Sequence, residues 1–204
     1  MTIKNILYRM IITTALLVQA NSAAGEDISF DYVEIVYFSD TVDVGSSSDN
    51  IEGNGIGFEL SLGISPSFAM RFAVASTTFR TFQSIDIDSS KTTTLGVTAH
   101  TSVASGTAIF GDVSVVLAET VATVGAEEVS DDDIGGIVDV GLRHMVTEGL
   151  EVELAASHTE VFGYSVNAYE VSGRLFLRKK FSVGFGYSDS HDVESLFLNA
   201  RMNI

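Results

Sequence analysis

The sequence predicts an antiparallel up-and-down transmembrane β-barrel, ten strands by count, with eight as the fallback closure. Three observations predict it. First, Gly55 to Val74 reads as a hairpin with one oily face. Ile56, Phe58, Leu60, Leu62 and Ile64 alternate with Gly57, Glu59, Ser61 and Gly63. After a Ser65-Pro66-Ser67 break, Phe68, Met70, Phe72 and Val74 alternate with Ala69, Arg71 and Ala73. Successive strand side chains point to opposite faces, so each arm is apolar on one side and small or charged on the other. Second, this pattern recurs along the chain, while the only long apolar run lies near the start and is short for a membrane helix; insertion must therefore use strands. Third, short breaks alternate with longer polar ones, as in barrels with one rim of turns and one of loops.

The remaining segments follow in order. Phe30 to Phe38 opens the series, with Val33, Ile35 and Tyr37 facing away from Tyr32 and Glu34. The hairpin supplies the second and third. Leu95, Val97 and Ala99 mark the fourth, and Ile109, Val113, Val115 and Leu117 the fifth, opposite Asp112 and Ser114. Val138, Val140 and Leu142 form the sixth against Asp139 and Arg143. In the seventh, Leu150, Val152, Leu154 and Ala156 alternate with Glu151, Glu153 and Ser157. Tyr169, Val171, Leu175 and Leu177 define the eighth, opposite Glu170, Ser172 and Arg174. The ninth carries Phe181, Val183, Phe185 and Tyr187, and the tenth Leu196, Leu198, Ala200, Met202 and Ile204, with Asn199 and Arg201 between. Short breaks fall at 65–67, 104–106, 146–149 and 178–180. Longer ones are expected over 40–54, 80–91, 120–133 and 162–167, with a brief one at 189–193.

Residues 1–24 have the pattern of a secretory signal: Lys4 and Arg9, an apolar Met10 to Val18, then small Ser22 and Ala24. The barrel domain then covers 25–204. Loss of Lys4 and Arg9 leaves 9 basic against 27 acidic residues, moving the formal charge from −16 to −18. Such a balance excludes nucleic acid as a partner and gives no overall attraction for anionic lipid headgroups. With no cysteine, disulfides, thiolate metal sites and thiol catalysis are excluded.

Alternation alone does not orient the faces. A soluble lipocalin-like barrel would turn the apolar face inward around an apolar ligand. The membrane arrangement is favoured because the polar face is rich in Gly, Ser, Ala and Thr, which suit a confined interior. Its charges are also of both signs: Glu34, Glu59, Asp112, Asp139, Glu151, Glu153 and Glu170 against Arg71, Arg143, Arg174 and Arg201. None falls in the apolar stripe, where an Arg or Lys at the bilayer midplane costs about 2–4 kcal/mol. Aromatic residues gather near segment ends (Tyr37, Phe38, Phe68, Phe79, Tyr169, Phe181, Tyr187), consistent with interfacial girdles.

The signal, the alternation, the two kinds of rim and a last segment ending on Ile204 resemble small Gram-negative outer-membrane barrels of the OmpA-transmembrane and OmpX kind. The stretch Phe30-Asp31-Tyr32-Val33-Glu34 resembles the aromatic-x-Tyr-Val-Glu start of a group of exported barrels. The resemblance implies contact with outer-membrane lipid and delivery by the barrel assembly machinery. Ile204 stands where such barrels commonly end on an aromatic residue.

Three sets of residues bear on chemistry. Among the eleven inward charges above, Arg71, Arg143, Arg174 and Arg201 are expected to pair with Glu34, Glu59, Asp139 and Glu151 as a polar plug, since buried charges are tolerable only when paired; the alternative is a narrow path whose acidic excess favours cations. Asp86 and Asp88, with Glu127, Glu128, Asp131, Asp132 and Asp133, are hard-oxygen candidates for divalent cations on loops, without calcium-loop spacing. His158 with Glu160, and His191 beside Asp189, Ser190 and Asp192, hold the residue types of a nucleophile–base set, but no hydrolase or acyltransferase motif accompanies them. The expectation is a non-enzymatic outer-membrane protein without cofactor, structural or surface-interacting, presenting acidic extracellular loops. A narrow cation-preferring porin and a secreted soluble barrel are the other readings.

Overall fold

The computed structural model describes residues 31–43, 50–80, 85–124, 127–190 and 192–204. The expected signal at 1–24 and His191 lie outside them. Ten strands make up the fold: β1 (Tyr32–Val42), β2 (Ile51–Ser65), β3 (Phe68–Phe79), β4 (Ile85–Ala104), β5 (Thr107–Val124), β6 (Glu127–Thr147), β7 (Leu150–Val161), β8 (Tyr164–Arg178), β9 (Phe181–Asp189) and β10 (Val193–Asn203). Each pairs antiparallel with its neighbours in sequence, and β1 pairs with β10, so the sheet closes. The closing ladder runs from Tyr32↔Asn203 to Val42↔Val193.

Four two-residue turns form one rim. Each of these hairpins carries a one-residue register shift just before its turn, between Gly63 and Ser65, Ser102 and Ala104, Met145 and Thr147, and Phe176 and Arg178. Such bulges sharpen the local twist and let a tight turn curl with the barrel wall. Turn carbonyls of Ser67, Gly106, Gly149 and Lys180 accept the N–H groups of His100, Met145, Phe176 and Asn203, tying each hairpin to the next.

The opposite rim corrects the expected loops. Residues 120–133 and 162–167 are largely ladder: β5 and β6 pair out to Val124↔Glu127, and β7 and β8 out to Val161↔Tyr164. The β4 strand likewise begins at Ile85, inside the expected 80–91 loop. Backbone hydrogen bonds extend a strand beyond the lipid, where alternation of apolar side chains is no longer required, so the sequence pattern fades before the ladder does. At the β7–β8 turn both Phe162 (φ 54°) and Gly163 (φ 71°) are left-handed, as a two-residue hairpin of right-handed twist needs. A bulky residue rarely adopts this conformation. Phe162 is held there by its N–H, which donates to the Asp133 carboxylate, and by packing against an interior apolar cluster.

The apolar stripe faces outward. Ile35, Ile56, Leu95, Val115, Leu154, Leu198 and their row-mates are exposed, while Glu34, Arg71, Arg143 and Arg201 are buried. This is the reverse of a lipocalin-like interior. Two of the seven expected girdle aromatics, Phe38 and Phe79, instead point inward and are buried. Their rings fill the space that glycines leave on the neighbouring strand: an added Cβ at Gly55 would lie 2.2 Å from the Phe38 ring, and at Gly53 2.4 Å from that of Phe79. The same ring-over-glycine fit joins Phe110 to Gly141 and Phe197 to Gly186.

Gly141→Ala tests this packing, because the new Cβ would meet Phe110 Cζ at 2.3 Å and the immobile Leu154 carbonyl oxygen at 2.8 Å. A loss of ~1–3 kcal/mol is expected in urea unfolding of the folded barrel. Gly111→Ala, whose nearest neighbour lies 3.7 Å away, should be close to neutral.

Candidate functional site in the charged lumen

Inward residues differ with height. Towards the extended rim two apolar clusters lie among buried Ser and Thr side chains and Asp40, with Val36, Phe38, Ala73, Ala75 and Phe197 packed on one wall. Val116, Ala118, Ile137, Val161 and Ala168 pack on another, with Phe162 and Val166 against them. The other charges lie nearer the turn rim. They arise there because β1 enters through Tyr32 and Glu34 opposite Arg201 of β10 and Glu59 of β2 in the same row.

A chain of contacts winds round this level. Arg71 Nε lies 3.8 Å from Glu59 Oε1 and its Nη1 3.7 Å from Asp112 Oδ2. Tyr32 donates its hydroxyl to Glu59, and its ring lies 3.7 Å beneath the Arg201 guanidinium. Arg201 Nε donates to Glu34 Oε2 at 2.7 Å, which Arg174 Nη2 also approaches at 3.5 Å. Arg174 Nη1 reaches Glu151 Oε1 at 2.6 Å, and Arg143 Nε lies 3.3 Å from that same oxygen. Arg143 then closes the series on Glu153 Oε2 at 2.6 Å.

All eleven charges named from the sequence therefore face the lumen and are buried. Nine of them join through ion pairs. Asp139 and Glu170 do not. Asp139 stands opposite Asp112 in the ladder, and neither of its carboxylate oxygens has a hydrogen-bond partner; Glu170 Oε1 is in the same position. Asp112, by contrast, accepts from Thr98 Oγ1 at 2.7 Å and from the Ser114 hydroxyl. The site set read from the sequence leaves out Thr98, the Asp40–Ser195 pair, joined at 2.6 Å, and also Tyr32 and Ser114, although these two stand on its polar face. Their signal was parity: Asp40 continues the even-numbered row of Tyr32 and Glu34, but the intervening apolar Val36 and Phe38 disguise it.

The other candidates separate. Glu127, Glu128, Asp131, Asp132 and Asp133 lie on β6 rather than in a loop. Strand alternation sends Asp131 and Asp133 to one face and Glu128 and Asp132 to the other, so the contiguous run does not converge. Asp86 and Asp88 lie on β4. Among the described residues, no group of three or more His, Asp or Glu gathers as a metal site. His158 Nδ1 lies 2.8 Å from Asn167 Oδ1 across the β7–β8 ladder, on the exposed surface.

No protein-family profile matches this chain, and no curated protein does either. Solved structures do. The transport unit of the autotransporter AIDA-I from Escherichia coli is similar at a TM-score of 0.50 and 9% identity, covering 97% of each chain. The translocator domain of the autotransporter NalP from Neisseria meningitidis follows at 0.48 and 9%, covering 98% of this chain and 96% of its own. Neisserial surface protein A matches at 0.46 and 12%, covering 86% of this chain and 98% of its own. The fold is that of a Gram-negative outer-membrane β-barrel.

In such a barrel the lumen charges sit in a narrow, low-dielectric space, where removing one partner of an ion pair strands the other as a buried charge. Arg143→Met removes the guanidinium shared by Glu151 and Glu153, and a loss of ~3–5 kcal/mol is expected from the carboxylates left behind. Urea unfolding in detergent reads it, together with loss of the band that an unboiled, folded barrel gives on a denaturing gel. Arg80→Met breaks an exposed pair with Glu52 and should leave both readings unchanged.

Proposed function

We propose that the protein is an outer-membrane barrel with a structural and surface-interaction role, presenting an acidic sheet on the cell exterior. The observation that carries this reading is the unequal length of the strands. A membrane strand needs about 9–11 residues. The β1, β9 and β10 strands have 11, 9 and 11, whereas β4, β5 and β6 have 20, 18 and 21. All turns on one rim have two residues, so the excess projects from the other.

Short turns face the periplasm in such barrels and the longer rim faces outside. The projecting β6 stretch pairs with β5 throughout, but with β7 only from Gly136 onward. It therefore offers a sheet border bearing Glu127, Glu128, Asp131, Asp132 and Asp133. Charges along a border discourage a second copy from adding edge to edge, and they suit a partner of opposite charge. The lipid-facing band and the outward Leu196, Leu198 and Met202 of β10 support outer-membrane lipid and the assembly machinery as further partners.

A narrow cation-preferring porin is the second reading, favoured by eight buried carboxylates against four buried arginines among the described residues. Planar-bilayer conductance separates the two: a plugged barrel gives no steady single-channel steps, while cation-selective steps would replace the surface role with transport. Because the chain has no cysteine, Ser130→Cys on the projecting sheet provides a unique label. A membrane-impermeant maleimide should react with it on intact cells, but with Ser105→Cys in a short turn only after permeabilisation. The opposite order would invert the orientation and remove the surface reading.

A further inference from the structure

Positive charge is scarce outside the lumen and unevenly placed. Arg71, Arg143, Arg174 and Arg201 are buried. Arg80 pairs with Glu52 near the projecting rim, and Lys91 lies on exposed β4 surface at the same end. The remaining three described basic residues, Arg178, Lys179 and Lys180, are consecutive on the β8–β9 turn. All three are exposed, and no ion pair engages them among the described residues. The other turns of that rim read Pro66-Ser67, Ser105-Gly106 and Glu148-Gly149, with no base among them.

The basic turn also has a defined depth. Leu177, immediately before it, and Phe181, immediately after it, are exposed on the outward face, and they continue the band of Leu175, Val183 and Phe185. At about 3.3 Å per strand residue, the cationic groups lie within one or two residue lengths of the lipid-facing edge. That is headgroup height. A cleft of about 960 Å³, lined also by Met145, Glu148, Phe176 and Ile204, opens beside them on the lumen side, away from the outward Leu177 and Phe181.

We propose that Arg178, Lys179 and Lys180 bind the phosphate of an anionic phospholipid in the leaflet at the turn rim, with its acyl chains against Leu177 and Phe181. The overall charge of −18 for residues 25–204 does not oppose this. The acids of the projecting rim lie across the bilayer core, about 30 Å away, whereas the Debye length at physiological salt is about 8 Å. A turn thus acts on its own leaflet regardless of the net charge of the chain. Of the charged residues in the four turns, only Glu148 is acidic. The inference rests on the membrane-spanning reading, but not on the surface role.

The test uses the full chain refolded into phosphatidylcholine bilayers. It has no tryptophan, so Val183→Trp places one reporter beside the turn. Brominated phosphatidylglycerol added to these bilayers should quench it more than brominated phosphatidylcholine does. The expected relative association is about fivefold for the first charge engaged, falling towards one in added salt. In the R178Q/K179Q/K180Q background the preference should vanish, and Lys179→Gln alone should lower it in part. An unboiled gel shift confirms that each variant is a folded barrel, so a failure to insert is told apart from a failure to bind. Equal quenching by both lipids, or a preference unchanged in the triple variant, overturns the proposal.

Discussion

Every strand here depends on one hydrogen-bonded ladder, that between β1 and β10. Backbone N–H and C=O groups have no water to turn to in a bilayer core, so a sheet in lipid survives only without edges. The Tyr32–Asn203 to Val42–Val193 register removes the two edges the chain would otherwise have. Closure also decides which face is inside. Once the ring is complete, the row with Gly, Ser and Thr fits the small interior, and the row with Ile, Leu, Val and Phe meets lipid.

Closure then sets a filling problem, which the lumen solves in two ways. Phe38 and Phe79 near the projecting rim, and Phe110 nearer the turns, lie over glycines on the next strand, so that large and small residues complement each other across the wall. Nearer the turn rim, arginines and carboxylates also fill the space. Four guanidiniums bridge carboxylates from β1, β2, β5 and β7. This couples strands that are far apart in the sequence: Glu34 meets Arg174 and Arg201, 140 and 167 residues away. The polar layer is thus a set of cross-braces as well as a plug.

The two rims differ in length and in charge. One is level, made of two-residue turns with repeated bulges, and holds the consecutive Arg178, Lys179 and Lys180. The other is uneven, with β4, β5 and β6 rising past the rest and β6 bearing a run of acids. A rigid barrel between them keeps these surfaces apart by more than electrostatic screening allows them to interact.

How much of this was legible beforehand follows from what period-two alternation can and cannot report. Residues such as Ile56, Phe58 and Leu60 against Gly57 and Glu59 announce a strand with one lipid-compatible face. Repeated ten times, they announce a barrel and its short turns. The inward position of Glu34, Arg143 and Arg201 was readable by the same parity. Parity carries no information about partners, however. That Arg143 bridges Glu151 and Glu153, while Asp139 faces Asp112 with neither oxygen hydrogen-bonded, depends on the stagger of neighbouring strands, which only closure sets. Phe38 and Phe79 looked like girdle residues because an aromatic near a strand end reads the same whether it turns to lipid or inward over a glycine. The acids at 127–133 looked like a loop because strand beyond the membrane has no apolar face to betray it. The sequence by itself determined the alternation, the sign of each face and the turns; the tertiary structure decided the pairing, the reach of the ladder and the height of each charge, because these are properties of register between strands rather than of any strand alone.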